Sequence, residues 1–209
     1  MNRRAFAAGL GAALLAGGTR GVAADCRAIA PGVAGCTSAL TNTFRIVTQD
    51  CPERCWAASI AGIFAYHGHP ISQDVIARTM FGTLACLPSG NTTVLDAVLS
   101  RQWVDAKGDE FGARISGLYD PLNGVRAINN AGLISELEND KPILYCNRTH
   151  AMVVVGMSYR RDAIGNLAVD QVRVADPYPG LGFHLLSPRE MAPVDLGGDL
   201  LFLASVDVD

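Results

Sequence analysis

Apolar residues in this chain keep a helical period up to about residue 99 and a strand-like one after about residue 143. From Cys55 to about His67, Trp56, Ile60, Ile63 and Phe64 recur at helical spacing, and Gly68 follows as a stop. Ser72 is suited to N-cap a second helix through Val75, Ile76 and Met80 that ends at Gly82. Thr92 or Thr93 caps a third through Val94, Leu95, Val98 and Leu99, and Asn130 starts a fourth through Leu133, Ile134 and Leu137, closed by Asn139-Asp140. Lys141-Pro142 then leads into a short strand, Ile143 to Cys146. Ala151–Tyr159 and Leu167–Ala175 are β-prone runs joined by a turn at Gly165-Asn166, an antiparallel hairpin, and Leu200–Val208 reads as a closing strand. Helices first and an antiparallel sheet later is an α+β pattern, which parallel α/β folds with alternating elements fit poorly. Residues 25 to 48 are small and turn-prone, and show no regular pattern.

With 209 residues, 49% of them hydrophobic and 18% charged, the chain can bury a core without help from disulfides or a metal. Intrinsic disorder and a cysteine-dependent miniprotein are excluded, and the net charge of -3 with no basic run argues against a nucleic-acid partner. Residues 1–24 read as a secretory signal peptide: Arg3-Arg4, a small apolar run from Ala5 to Gly18, and Val22-Ala23-Ala24 as an A-x-A-like cleavage site. The apolar run is shorter than the roughly 20 residues of a spanning helix, so no permanent membrane anchor is expected. The paired arginines before Phe6 also resemble a twin-arginine export signal. Removal of this segment leaves 185 residues and a charge of -6, with all six cysteines, in a periplasmic or extracellular location.

The chemistry begins at Gln49-Asp50-Cys51-Pro52-Glu53-Arg54-Cys55-Trp56-Ala57-Ala58. Cys55 stands where a loop becomes a helix, and free N–H groups with the helix dipole favour negative charge there; a thiolate is such a charge. A catalytic thiolate needs a proton-transfer partner and a donor to the oxyanion. Gln49, six residues earlier, has a side-chain amide able to donate beside the Cys55 backbone N–H. His150 opens His150-Ala151-Met152-Val153-Val154-Val155-Gly156, where an imidazole is held at the head of a buried strand. Asp176, in Ala175-Asp176-Pro177, returns beside His150 if the two strands pair, and would orient the other ring nitrogen. His184 is the rival for that role and reads as a strand histidine facing solvent. Cys51, Cys55, His67 and His69 supply zinc-ligand types, but a helix rising about 1.5 Å per residue puts the two pairs roughly 18 Å apart, so no metal or other cofactor is expected. His67 and His69 then read as residues ending the helix.

Gln-x5-Cys-Trp-Ala-Ala, His-Ala-x4-Gly and Asp-Pro, in this order, resemble the signature of papain-like cysteine peptidases, and the Cys-Trp-Ala-Ala form is especially similar to their compact bacterial members. The resemblance covers about residues 44 to 180. It implies a helical lobe over about 49–110, a β lobe over about 111–209 and an active site in the cleft between them. It also implies a Cys55–His150–Asp176 triad with Gln49 as oxyanion donor, and a protein or peptide substrate. The 95 residues from Cys55 to His150 are fewer than the roughly 130–150 of papain and cathepsins, so substrate-binding loops of the larger enzymes are expected to be missing. The 24 residues between cleavage site and Gln49 leave no room for a long inhibitory propeptide. With Cys55 as nucleophile the even cysteine count breaks: Cys26 with Cys36 and Cys51 with Cys86 are the expected pairs, the second similar to the disulfide near the nucleophile in papain relatives, and Cys146 remains a buried thiol. Pocket-lining residues are expected on loops such as Pro88–Asn91 and Gly108–Gly112. The same cysteine-histidine pair also serves cell-wall peptide amidases and acyl or glutamyl transferases, and a non-catalytic binding protein can keep the fold.

Overall fold

The computed structural model describes residues 24–209, so the expected leader, apart from its last residue, lies outside the described residues. The chain opens with a hairpin, β1 (Asp25–Ala30) and β2 (Val33–Ala39), followed by α1 (Cys55–Tyr66), α2 (Gln73–Phe81) and α3 (Thr92–Leu99). Next come β3 (Gln102–Val104), β4 (Glu110–Asp120), β5 (Val125–Arg126), α4 (Asn130–Glu138), β6 (Ile143–Cys146), β7 (Ala151–Asp162), β8 (Leu167–Asp176), β9 (Gly182–Leu185), the short α5 (Pro188–Met191) and β10 (Phe202–Val208). Every strand pairing is antiparallel, giving a mixed fold of one large antiparallel sheet and a few helices.

β7 is the spine of the sheet. β8 runs along one of its edges from Val153 to Arg161, while β6 (at Ala151–Val154) and β2 (at Gly156–Asp162) share the other edge end to end. From β6 the sheet continues through β10 to β4 and β3. Successive side chains of a strand point to opposite faces, and the core divides accordingly. Leu144 and Cys146, Val153 and Val155, and Phe202, Ala204 and Val206 pack with α1–α3. Ile143 and Tyr145, Met152 and Val154, and Leu203 pack with Leu133, Ile134 and Leu137 of α4 on the opposite face.

α1 is buried from Cys55 to Phe64, so it is a core helix with no solvent face over that span. Its single glycine has a packing reason: a Cβ on Gly62 would come within 2.9 Å of the Phe44 ring. His67 caps the helix, with Gly68 beyond it in the left-handed region at φ 94°. Ser72 accepts from the Val75 N–H and Gly82 takes the left-handed cap, both as the residues predict. The third cap is Asn91, whose side chain accepts from the Val94 N–H, rather than Thr92 or Thr93. An asparagine accepts this bond in the extended conformation that a threonine inside the first turn has already left. The segment 25–48, featureless by period, supplies β1 and β2, α4 forms where Asn130 is expected to start a helix, and the short β3 and α5 are additions to the expected elements. Among the described residues no helix is long and apolar enough to cross a membrane.

Candidate active site

Cys55 is the first residue of α1 and is buried. The helix end is held by Arg54, itself only 4% exposed. Its guanidinium donates to Asp50 at 2.9 Å, to Asp74 of α2 and to the Leu84 carbonyl, gathering the nucleophile loop, the neighbouring helix and the segment 82–91 around one cation. The Cys51–Cys86 disulfide joins the loop before Cys55 to the segment 82–91, and Trp56 Nε1 donates to the Leu87 carbonyl at 3.1 Å.

His150 is set by a four-residue turn between β6 and β7. The Asn147 side-chain oxygen accepts from the Thr149 and His150 N–H groups at 3.0 and 2.7 Å, and the Asn147 N–H donates to the His150 carbonyl at 2.9 Å. One turn into α1, Ser59 Oγ donates to the Ala151 carbonyl at 3.1 Å, fixing the helix against the head of β7.

The imidazole Nε2 lies 2.7 Å from Asp176 Oδ1, and the ring also couples to the Cys55 thiol. Burial is the largest influence on its pKa and lowers it. The Asp176 hydrogen bond, the charge of Asp176 and the nearby Cys55 together outweigh burial and raise it from 6.5 to about 9. Asp176 is 2% exposed, and its Oδ1 also accepts from the Tyr178 N–H at 2.7 Å. The Tyr178 ring stands edge-on to the imidazole, with centroids 6.4 Å apart.

Gln49 is also buried, and its N–H donates to the Pro177 carbonyl at 2.9 Å, binding the nucleophile loop to the loop after Asp176. Its side-chain amide donates to the Cys51 and Pro52 carbonyls at 2.9 and 3.0 Å, leaving Oε1 buried without a partner. Both amide protons are therefore engaged in the loop, and donation to an oxyanion requires exchanging one of these carbonyls.

A cleft of about 440 Å³ opens beside Cys55 and His150. Pro88–Thr92 form one wall, Asn147–Thr149 the other, and Trp56, Leu95, Cys146 and Leu201 its apolar part. The expected wall at Pro88–Asn91 is present. Gly108–Gly112 is absent from the lining, because it forms the turn and the start of β4 in the β3–β4 hairpin. A separate cavity of about 220 Å³ lies against the other face of the sheet, lined by residues such as Leu133, Tyr145 and Met157.

Cys26–Cys36 and Cys51–Cys86 are bonded, and Cys55 and Cys146 are free and buried. Burial, then the nearby Cys55, pushes the Cys146 thiol up, so Cys146 stays protonated. Cys51 is consumed in its disulfide, α1 separates Cys55 from His67 and His69, and His69 instead meets Asp105 at 3.3 Å while stacking on Phe111. No group of three metal-ligating side chains assembles among the described residues. His184 is a partly exposed strand histidine on β9, and its Nε2 also comes within 4.0 Å of Asp176 Oδ2, because Asp176 and His184 lie on one face of the β8–β9 pair. Arg54, Asn147 and Tyr178 were legible only as a charge in a loop, a turn residue and a residue after a proline, and no spacing rule links such residues to a distant nucleophile.

Neither a family model nor a curated protein sequence matches this chain. Among solved structures, the peptidase domain of Streptococcus ComA, described as a bi-functional ABC transporter involved in a quorum sensing pathway, is similar at 16% identity, covering 79% of this chain and 98% of that one with a TM-score of 0.42. So loose a likeness adds no weight to the chemistry, which rests on the geometry of the site itself.

Proposed function

We propose that this chain is an exported cysteine peptidase of the papain-like kind, with Cys55 as nucleophile, His150 as the proton carrier and Asp176 as the group that orients His150. The observation that carries the reading is the half-buried imidazole of His150, bonded at 2.7 Å to a buried carboxylate and standing beside a thiol at a helix N-terminus. That environment favours imidazolium beside thiolate. The thiolate attacks the scissile carbonyl carbon, and the charge that develops on its oxygen meets the Cys55 backbone N–H, with Gln49 as the second donor once it gives up a loop carbonyl. His150 then passes its proton to the leaving amine as the C–N bond breaks, leaving a thioester on Cys55. Water, deprotonated by His150, attacks the thioester, releasing the carboxylic acid and restoring the thiol-imidazole couple. Helices beside a sheet with the cleft at their junction suit the two-lobe arrangement, and two disulfides suit an oxidising compartment.

The test compares the mature chain with Cys55→Ala on an unbiased peptide library and on purified peptidoglycan at pH 5–8, read by mass spectrometry. Cleavage of library peptides that disappears in the variant is the expected result. Cleavage that survives the substitution ends the proposal, and Cys55-dependent release from peptidoglycan alone reassigns the site to an amidase of cell-wall peptides.

A further inference from the structure

Asp176 is almost wholly buried, and its two oxygens are used unequally. Oδ1 carries both the His150 Nε2 and the Tyr178 N–H, each at 2.7 Å. Oδ2 has no hydrogen bond among the described residues, and the side chain facing it is His184, whose Nε2 stands 4.0 Å away. Strand register explains the approach. Asp176 lies opposite Gly182 and His184 opposite Val174, so Asp176 and His184 are diagonal neighbours on one face of the β8–β9 pair. The glycine directly across from Asp176 places no side chain between them, and nothing lies within 4 Å of where its Cβ would be. The His184 side chain is 35% exposed and that of Asp176 only 2%.

We propose that His184 is a positioning residue of the catalytic carboxylate, acting on the Asp176 oxygen that His150 leaves free; this rests on the cysteine peptidase reading. A distance of 4.0 Å is too long for a hydrogen bond and short enough for strong attraction between imidazolium and carboxylate. A charged His184 attracts the Asp176 carboxylate from the side opposite His150, so Asp176 is held in place for the His150 imidazolium and, through it, for the Cys55 thiolate. The other charged groups on neighbouring elements are otherwise engaged. Arg173 of β8 lies over the Phe183 ring, while Arg189 and Glu190 of α5 are bound to Asp199 and Ser187. His184 therefore extends the acid side of the working range and leaves the alkaline side unchanged.

The experiment reads the thiolate without a substrate. The rate at which iodoacetamide alkylates Cys55, followed by peptide mass spectrometry from pH 4 to 10, is measured for the wild-type chain, His184→Gln, His184→Phe and His150→Gln. In both His184 variants the acid limb is expected to move up by about half to one pH unit, a roughly three- to tenfold lower rate at the wild-type midpoint, with the alkaline limb in place. Superimposable profiles, or a uniform loss of rate with no shift of either limb, overturn the role of His184 while the peptidase reading stands. A wild-type profile that matches an ordinary thiol and does not change in His150→Gln overturns both.

Discussion

The imidazole of His150 is the residue on which the site depends, because its protonated form is stabilised from two sides at once. Removing the Asp176 charge with Asp176→Asn is expected to lower kcat about 10²- to 10⁴-fold and to move the alkaline limb of the pH–rate profile down from about 9 toward 6.5. An unmoved limb in steady-state kinetics would show that Asp176 does not set the state of His150. Asn147 acts one step further out, since its side-chain oxygen accepts the Thr149 and His150 N–H groups. Asn147→Ala should cost about 1 kcal/mol in stability, and roughly tenfold or more in kcat as His150 drifts from its line to Cys55, with KM little changed. Thermal melts and single-turnover rates on the same sample separate the two effects. Motif order singled out Cys55, Gln49, His150 and Asp176 in the sequence, and the structure places His150 beside both Asp176 and Cys55. The hydrogen bonds of Gln49 were not readable, since they depend on which backbone carbonyls the loop turns toward its amide.

At the level of elements, one wall of the cleft is a loop held against one helix. The segment 82–91 is fastened by the Cys51–Cys86 bond, by the Arg54 guanidinium on the Leu84 carbonyl, and by Trp56 on the Leu87 carbonyl. Replacing both cysteines, Cys51→Ser with Cys86→Ser, removes a cross-link spanning 35 residues and should cost about 3–4 kcal/mol in the chain-entropy picture. The wall then moves more freely, so KM should rise further than kcat falls; denaturant titration and steady-state kinetics on the double variant measure both. α1 to α4 were legible because their apolar residues recur at helical spacing near residues that start or stop a helix, whereas the four-residue α5 was not, and the β7–β8 hairpin was legible because Gly165 marks its turn at φ 91°. The β1–β2 hairpin was hidden for a physical reason. Its residues are small and largely exposed, and it draws its order from pairing with the far half of β7 and from the Cys26–Cys36 bond rather than from its own pattern.

Across the whole molecule, stability and activity should follow pH together on the alkaline side. The folded-state pKa of His150 lies near 9, above its ordinary 6.5, so the stability it contributes is fully present below about pH 6.5 and is lost as the pH rises through about 9. On the acid side, Lys141 beside Asp207 holds that carboxylate below its usual range, and hydrogen bonds from Tyr66, Thr41 and Asn42 do the same for Asp140 against the opposing effect of burial. Their contributions are present above the ordinary carboxylate range and lost as pH falls through the lowered values. Melting temperatures should therefore form a plateau through neutral pH, and His150→Gln should flatten its alkaline shoulder; a shoulder unchanged in that variant would place the loss elsewhere. The α+β layout was legible from the change of period, whereas the sharing of one β7 edge by β2 and β6 was not, since β6 read as a short strand by itself and β2 lies in a segment with no regular pattern. The cross-link in the cleft wall also imposes an order of events. Cys55, His150 and Asp176 carry no cross-link of their own, whereas the wall beside them is fastened by the Cys51–Cys86 bond, which forms only where thiols are oxidised. On the proposed reading, a chain with Cys51 and Cys86 still reduced carries its reagent before its selectivity, and oxidation supplies the second.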